Sequence, residues 1–244
     1  MEIAVLAENP DLWSDVGALV AGPEFIFHDP VSAECWHRLA EDFPDFQVAL
    51  LDGGRVAARG ASIPLHWEGS DGDLPEEGWD FVLRQGVADL DAGRKPTTSC
   101  ALWIVVAKDF LGRGLSARVV EGLRDCAAAN GLRTLYAPVR PTKKAEYPLI
   151  PMTDYVTWTL DDGVTPFDPW LRVHWRAGGQ LLHVCSRSMV IPGSIAEWEG
   201  WTGMPMPVSG QYVVPGALNP VHVDHEADSA VYVEPNVWVR HTTN

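Results

Sequence analysis

The chain has 244 residues, enough for one domain with a substantial core. It carries 18 Lys and Arg residues against 33 Asp and Glu residues, so its formal net charge is -15 at pH 7. This charge argues against a nucleic-acid partner, because proteins that bind nucleic acids usually present a basic face to the phosphates. It is compatible with a cationic substrate.

The sequence gives no sign of a membrane or secreted protein. No apolar run approaches the roughly 20 residues of a membrane span, and the first residues do not have the pattern of a secretory leader. The cysteines lie far apart without a C-x-x-C pair, which is typical of reduced, buried side chains. They are Cys35, Cys100, Cys126 and Cys185. We therefore expect a soluble cytoplasmic protein.

The first third of the chain predicts a short strand, two helices and a hairpin. The hairpin is indicated by Asp52-Gly53-Gly54, which is turn chemistry between two apolar extended runs. Part of the sheet is therefore expected to be antiparallel. The patterns cover residues 2–7 for the first strand, about 10–20 and 31–41 for the helices, and 45–51 and 55–67 for the hairpin strands.

The middle of the chain predicts an insertion and then a parallel crossover. Residues 68–96 begin as an acidic, glycine-rich loop and continue with apolar residues at helical spacing. The strand at 100–107 is almost wholly apolar, which is typical of burial on both faces. A helix from Leu115 to the Asn130-Gly131 cap and a strand at 133–139 complete a right-handed unit.

The C-terminal third predicts two more helices and three extended segments. Asp168-Pro169 is typical of a helix start, and Ser194-x-x-Glu197 is a capping-box pattern. The extended segments are 181–190, 211–214 and 231–239. We expect one α/β domain over residues 1–244, with a central mixed sheet flanked by helices.

The segment from Phe110 to Ser116 is rich in glycine and lies between a strand and a helix. Such a turn binds phosphate, because glycine allows close approach and the first N–H groups of the helix are free. A nucleotide P-loop is excluded, since no G-x-x-x-x-G-K-[ST] string occurs. A dinucleotide site stays open, because Gly112-x-Gly114-x-x-Ala117 fits that fingerprint and Arg140 suits a 2′-phosphate.

The order of elements and this turn resemble the GNAT acyltransferase superfamily. The family pattern [Q/R]-x-x-G-x-[G/A] falls on Leu111-Gly112-Arg113-Gly114-Leu115-Ser116, with Leu111 and Ser116 departing from it. The resemblance covers about residues 98–131 and, less closely, 168–183. It leaves 141–167 and 190–244 as additions. It implies that backbone amides of the turn bind the pyrophosphate of acetyl-CoA or another acyl-CoA.

The resemblance also implies roles for individual residues in direct acyl transfer to the amine of a small molecule. By position, Ile104 and Val106 would lie along the pantetheine arm. His174 stands where many members place a tyrosine as the acid for the CoA thiolate, although a packed core histidine is the competing interpretation. Tyr155 is the reserve acid.

The sequence gives less information about the base, a metal site, the alternative functions and the oligomeric state. His66 and Glu68 are candidates for the base that deprotonates the amine. The segment His222-Val223-Asp224-His225-Glu226 lies in an expected strand connection, and we predict no metal site there. A noncatalytic acyl-CoA sensor and an NADP-dependent oxidoreductase are the alternative functions. The protein could also form a homodimer.

Overall fold

The computed structural model describes residues 1–243, which form one nine-stranded sheet and eight α-helices. The strands are β1 (Glu2–Val5), β2 (Gln47–Asp52), β3 (Arg55–Leu65), β4 (Thr98–Val106), β5 (Thr134–Val139), β6 (Gln180–Gly193), β7 (Gly210–Tyr212), β8 (Val221–Asp224) and β9 (Ser229–Thr242). The helices are α1 (Trp13–Ala18), α2 (Pro30–Cys35), α3 (Arg38–Asp42), α4 (Gly78–Asp91), α5 (Leu115–Ala129), α6 (Met152–Tyr155), α7 (Pro169–Arg176) and α8 (Ile195–Thr202). Over these residues no helix has the length and apolar character needed to cross a bilayer.

The sheet is mixed, because β4 and β5 are parallel whereas the remaining strand pairs are antiparallel. The strands follow the order β1-β2-β3-β4-β5-β9-β8-β7. β6 pairs with β9 along nearly the whole length of β9 and therefore occupies one edge of that strand. β5 and β8 share the other edge, at opposite ends of β9. The predicted mixed sheet flanked by helices is confirmed.

The parallel strands β4 and β5 separate soon after they meet. Their pairing is limited to Ser99 with Leu135 and Cys100 with Tyr136. Beyond these pairs β4 continues to Val106 and β5 to Val139 without a further rung between them. A gap therefore opens toward the carboxyl ends of both strands.

Both faces of the sheet are covered. On one face, which we call the back face, α5 buries Val119 and Leu123 against β3. Gly60 permits this contact, since a Cβ there would lie 2.5 Å from Cγ1 of Val119. On the opposite face, the front face, α4 packs against β3 and β6 and buries Trp79 and Leu83. The first and last strands belong to the same sheet.

Several predicted elements differ in detail from the observed ones. The helix expected over 31–41 is two short helices, α2 and α3, because the Asp29-Pro30 start caps only α2 and the chain turns at Trp36 and His37. The expected connection at His222–Glu226 is wrong for its first half, since Val221–Asp224 is strand β8. Its alternating burial, with Val221 and Val223 inward, fits β pairing with β9.

Candidate active site

β4 leads into the glycine turn through a short 3-10 helix, Lys108–Phe110. Gly112 and Gly114 have φ values of 76° and 72°, in the left-handed region that disfavours residues with a Cβ. The space beside both Cα atoms is open. Within the described chain the N–H groups from Gly112 to Gly114 make no backbone hydrogen bond. Together with the free N–H groups at the start of α5, they suit an anion.

Two arginines give the turn positive charge. The guanidinium of Arg113 lies 5.0 Å from the ring centroid of Phe110, and that of Arg55 lies 5.2 Å from it. Arg55 also pairs with Asp109, with Nη2 2.5 Å from Oδ2. Arg113 is exposed and makes no ion pair within the described residues, so it is available to a phosphate of a ligand on the turn, whereas Arg55 is already paired with Asp109.

A cavity of about 440 Å³ fills the gap between β4 and β5. Its walls come from both strands, from α7, from the segment between α1 and α2, and from the glycine turn. Among its lining residues are Gly22, Ile26, Trp79, Trp103, Ile104, Val106, Leu111, Ser116, Arg140, Trp170, His174, Met189, Glu234 and Asn236. The cavity therefore connects the anion site to the front face of the sheet.

Glu234 is the carboxylate that lines this cavity, and it is 1% exposed. Its Oε2 accepts hydrogen bonds from Arg140 Nε at 2.8 Å and from the Tyr232 hydroxyl at 3.0 Å. Its Oε1 accepts only from Asn236 Nδ2, at 3.2 Å, in the described residues. Arg140 is oriented in turn by donating from Nη2 to the carbonyl of Gly216 at 2.5 Å. One carboxylate oxygen thus retains capacity for a ligand donor.

Tryptophan rings form the front wall of the cavity. The indole N–H of Trp79 donates to the carbonyl of Leu102 at 2.9 Å, and its ring stacks on Trp36 with centroids 5.9 Å apart. Trp36 in turn meets Trp103 edge to face. The hydrogen bond and the stacking fix Trp79, so its aromatic surface is preorganised for a substrate.

Comparison with known proteins shows the family. No family model matches the chain. Arginine N-acetyltransferase avaD of Aspergillus versicolor is 36% identical to it over 246 residues, which cover 90% of the chain and 84% of that protein. The chain belongs to the GNAT superfamily. As an enzyme of this superfamily it is an N-acyltransferase that uses an acyl-CoA as cosubstrate.

Solved structures agree on the GNAT fold. The loading GNATL domain of CurA from Lyngbya majuscula superposes with a TM-score of 0.60 at 14% identity, covering 99% of the chain and 97% of that domain. The GphF GNAT-like decarboxylase in complex with isobutyryl-CoA gives a TM-score of 0.52 at 14% identity, covering all of both chains. At these identities the likeness concerns the fold alone.

The GNAT cavity brings together five of the residues that the sequence predicted. Ile104 and Val106 line it from β4, Leu111 and Ser116 from the turn, and His174 from α7. Leu111 remains 63% exposed, although the family pattern has a polar residue there. The remaining turn residues, Gly112, Arg113, Gly114 and Leu115, lie between Leu111 and Ser116 without lining the cavity.

His174 is buried and pairs with a second histidine. Its Nδ1 lies 2.9 Å from Nε2 of His241, and the two residues are 2% and 1% exposed. Burial lowers the pKa of His174 to about 3, with repulsion from His241 as the smaller cause. Burial likewise lowers the pKa of His241 to about 4. Both imidazoles are therefore neutral near pH 7.

The environment of His241 assigns the tautomers of this pair. Nδ1 of His241 is buried and has no hydrogen-bond partner in residues 1–243. A buried N–H without an acceptor is rarer than a buried acceptor without a donor, so we place the proton of His241 on Nε2. His174 Nδ1 is then the acceptor, and its own proton is on Nε2. That N–H has no acceptor in the described protein and is available to a ligand in the cavity.

Tyr155 does not reach the cavity. It is 1% exposed, and its hydroxyl donates to Oδ2 of Asp168 at 2.8 Å. Asp168 caps α7 by accepting from the backbone N–H of Trp170 at 2.8 Å. Burial, and then the charge of Asp168, raise the pKa of Tyr155 well above its usual value. The structure therefore opposes the predicted reserve acid, because this hydroxyl stabilises the start of α7 instead.

His66 and Glu68 also lie away from the cavity lining. Nε2 of His66 is 3.2 Å from Oε1 of the exposed Glu68, and Nδ1 is 2.9 Å from the carbonyl oxygen of Lys95. The hydrogen bond to that carbonyl is the main cause that raises the pKa of His66. These contacts fasten the end of β3 to the segment before β4, so the pair is not placed to act as the base.

The sequence interpretation missed Glu234 and its partners. The local signal was the presence of two polar residues, Glu234 and Asn236, within the largely apolar run at 231–239. The sequence suggests a different partner for Arg140, the 2′-phosphate of a dinucleotide. Their connection depends on β9 reaching the end of β5, where Val139 pairs with Val237. Chain positions 94 residues apart meet only through that pairing.

Proposed function

We propose that this enzyme acetylates arginine or a closely related basic amino acid. The observation that carries the proposal is Glu234, a buried carboxylate in the cavity between β4 and β5. Its Oε1 atom can accept from a cationic nitrogen, and Trp79 and Trp103 offer aromatic faces to such a group. The net charge of -15 favours the approach of a cation.

The name of the 36% identical relative, arginine N-acetyltransferase, supports the same acceptor and an acetyl donor. The cavity is larger than an acetyl group needs, at about 440 Å³. We attribute the excess to the pantetheine arm and the acceptor. These two must share one cavity for direct transfer.

For the CoA moiety, the open positions beside Gly112 and Gly114 allow the approach of a pyrophosphate. Ile104 and Val106 line the way from the turn into the gap. β5 pairs with β4 only at Ser99 and Cys100 and diverges from it before Ile104. The backbone groups on that edge of β4 therefore have no strand partner and suit the amides of the pantetheine arm. Acyl-CoA supplies the activated thioester, while the protein orients it.

His174 and Glu234 receive distinct roles in this proposal. The Nε2–H of His174 donates a hydrogen bond to the oxygen or sulfur that becomes negative during transfer. Because its imidazole is neutral, His174 acts as a hydrogen-bond donor and not as a protonated acid. Glu234 orients the acceptor nitrogen and accepts its proton directly or through water.

The cytoplasmic location remains a prediction from the sequence. It is supported by the cysteines, since all four are buried and none forms a disulfide in the described chain.

Steady-state assays with purified protein test the acceptor and donor together. Arginine, lysine, ornithine and an aromatic amine are each supplied with acetyl-CoA and, separately, with a longer acyl-CoA, and CoA release and the acylated product are measured by mass spectrometry. We expect the highest kcat/KM for arginine and acetyl-CoA. Preference for the neutral aromatic amine, or for an acyl-CoA longer than acetyl, would contradict the proposal.

A further inference from the structure

Arg59 lies near the middle of β3 and has no charged partner. It is partly buried, and its Nε is shielded from solvent without a hydrogen-bond acceptor. Across residues 1–243 no carboxylate forms an ion pair with its guanidinium and no ring stacks on it. Burial alone lowers its pKa. A partly buried guanidinium without a counter-ion lowers the stability of the free protein. An anionic ligand that pairs with it would offset this loss.

The β-sheet register places Arg59 next to a residue that lines the active-site cavity. Arg59 pairs with Val105 of β4, and Val105 lines the cavity. The neighbouring pair, Gly60 with Ile104, faces α5 on the back face. Because side chains alternate along strands, Arg59 and Val105 point to the front face. The front face is opposite the face that is covered by α5, the helix that follows the glycine turn.

A second donor without a partner lies on the same face. Trp103 is two residues from Val105 and also lines the cavity. Its indole Nε1–H is buried and makes no hydrogen bond to any described residue. Trp103 and Arg59 therefore present unused N–H donors from adjacent strands. The segment Ala21–Pro23 lines the cavity at the same place.

We propose that Arg59, with the indole N–H of Trp103, binds the carboxylate of the acceptor. A carboxylate matches the planar donor fork of a guanidinium. The inference thus assigns a binding site to the free carboxylate of the proposed amino-acid acceptor. The carboxylate of the acceptor would then lie over β3 and β4, and β4 is also the strand along which the thioester is held. This inference rests on the proposed function, because it names a further group of the same acceptor.

The test compares arginine with agmatine, which has the same guanidine and chain but no carboxylate. KM and kcat are measured for both with the wild-type protein, Arg59→Met, Arg59→Lys and the exposed control Arg133→Met. We expect Arg59→Met to raise KM for arginine about tenfold or more, and to leave KM for agmatine nearly unchanged. Arg59→Lys should restore part of the affinity for arginine.

Thermal unfolding supplies an independent readout. Arg59→Met removes an unpartnered, partly buried charge, so the free variant should unfold at the same temperature as the wild type or higher. Arginine should raise the unfolding temperature of the wild type and not that of the variant. A large loss of stability in the free variant would show a structural arginine and overturn the proposal.

The kinetic outcomes separate this inference from the proposed function. Equal losses with arginine and agmatine would overturn the carboxylate contact while leaving acetylation of arginine intact. If neither is acetylated, arginine is excluded as the acceptor, and lysine is compared with cadaverine. If lysine is not acetylated either, the proposed function fails, and tryptophan is compared with tryptamine. Preference for the amine without a carboxylate in each pair, or no acetylation of any of them, would overturn the inference as well.

Discussion

Oε2 of Glu234 lies 2.8 Å from Nε of Arg140, and this pair joins the end of β5 to β9 at the floor of the cavity. Arg140 also holds the carbonyl of Gly216, so the loop before β8 depends on the same guanidinium. The pair therefore has a structural role, and on our proposal it also has a role in binding the acceptor. The two can be separated by mutation.

We predict that Glu234→Gln raises KM for arginine about tenfold and lowers kcat, because the acceptor nitrogen loses its anionic partner. The variant should also lose about 3 kcal/mol of unfolding free energy, since Arg140 is left without its counter-ion. The double variant Glu234→Gln with Arg140→Gln should regain stability and not arginine affinity. Glu121→Gln, on the exposed side of α5, is the control. Recovery of KM in the double variant would contradict direct binding by Glu234.

The neutral state of His174 predicts a pH profile. With a pKa of about 3, the imidazole does not titrate between pH 6 and 9. His174→Ala should lower kcat by about 10²-fold, as expected for loss of one donor to a developing negative charge. His174→Gln, which retains an N–H donor, should recover part of the rate and keep the wild-type pH limbs. A limb near pH 6.5 that disappears in His174→Gln would instead indicate a protonated acid.

The phosphate role of the turn predicts that Gly114→Asp weakens acetyl-CoA binding about tenfold or more, because a negative side chain meets the pyrophosphate. Gly131→Asp is a matched control, since Gly131 has nearly the same φ, 75° against 72°, and open space beside it. Calorimetric titration with acetyl-CoA measures both. Equal affinities in the two variants would place the pyrophosphate elsewhere.

Two buried carboxyl groups on the front face predict an effect of pH on stability. Asp29 Oδ2 and Asp80 Oδ1 are buried without a hydrogen-bond donor from the rest of the described protein, so a proton shared between the two carboxyls would serve both. Burial followed by the charge of Asp29 raises the pKa of Asp80 to about 8. The unfolded carboxyl titrates near its ordinary value of 3.8. Between these values the folded state holds a proton that the unfolded state has released, so stability falls as pH rises, by at most about 1.4 kcal/mol per pH unit.

Asp80→Asn should remove this dependence, because an amide holds the hydrogen bond to Asp29 without titrating. Denaturant unfolding at pH 5, 7 and 9 measures the slope. Asp125→Asn, at an exposed position of α5, should retain the wild-type slope. A slope in Asp80→Asn equal to that of the wild type would mean that the pair shares no proton.

The sequence by itself determined the features that depend on neighbouring residues. The glycine turn, the capped helices α7 and α8, the hairpin of β2 and β3 and the amphipathic face of α5 all follow from local chemistry within a few residues. These elements in order were enough to indicate the GNAT fold and its acyl-CoA cosubstrate. The resemblance based on them also named Ile104 and Val106, two of the β4 residues that line the cavity.

Only the tertiary structure decided which polar groups share the cavity and in what state. Glu234 meets Arg140, and His174 meets His241, through sheet pairings and packing between residues far apart in the chain. The same burial makes His174 neutral and leaves Arg59 without a partner. Conversely, Tyr155, His66 and Glu68 had suitable chemistry but lie outside the cavity. Side-chain chemistry is a property of the sequence, whereas distance, solvation and protonation are set by the fold.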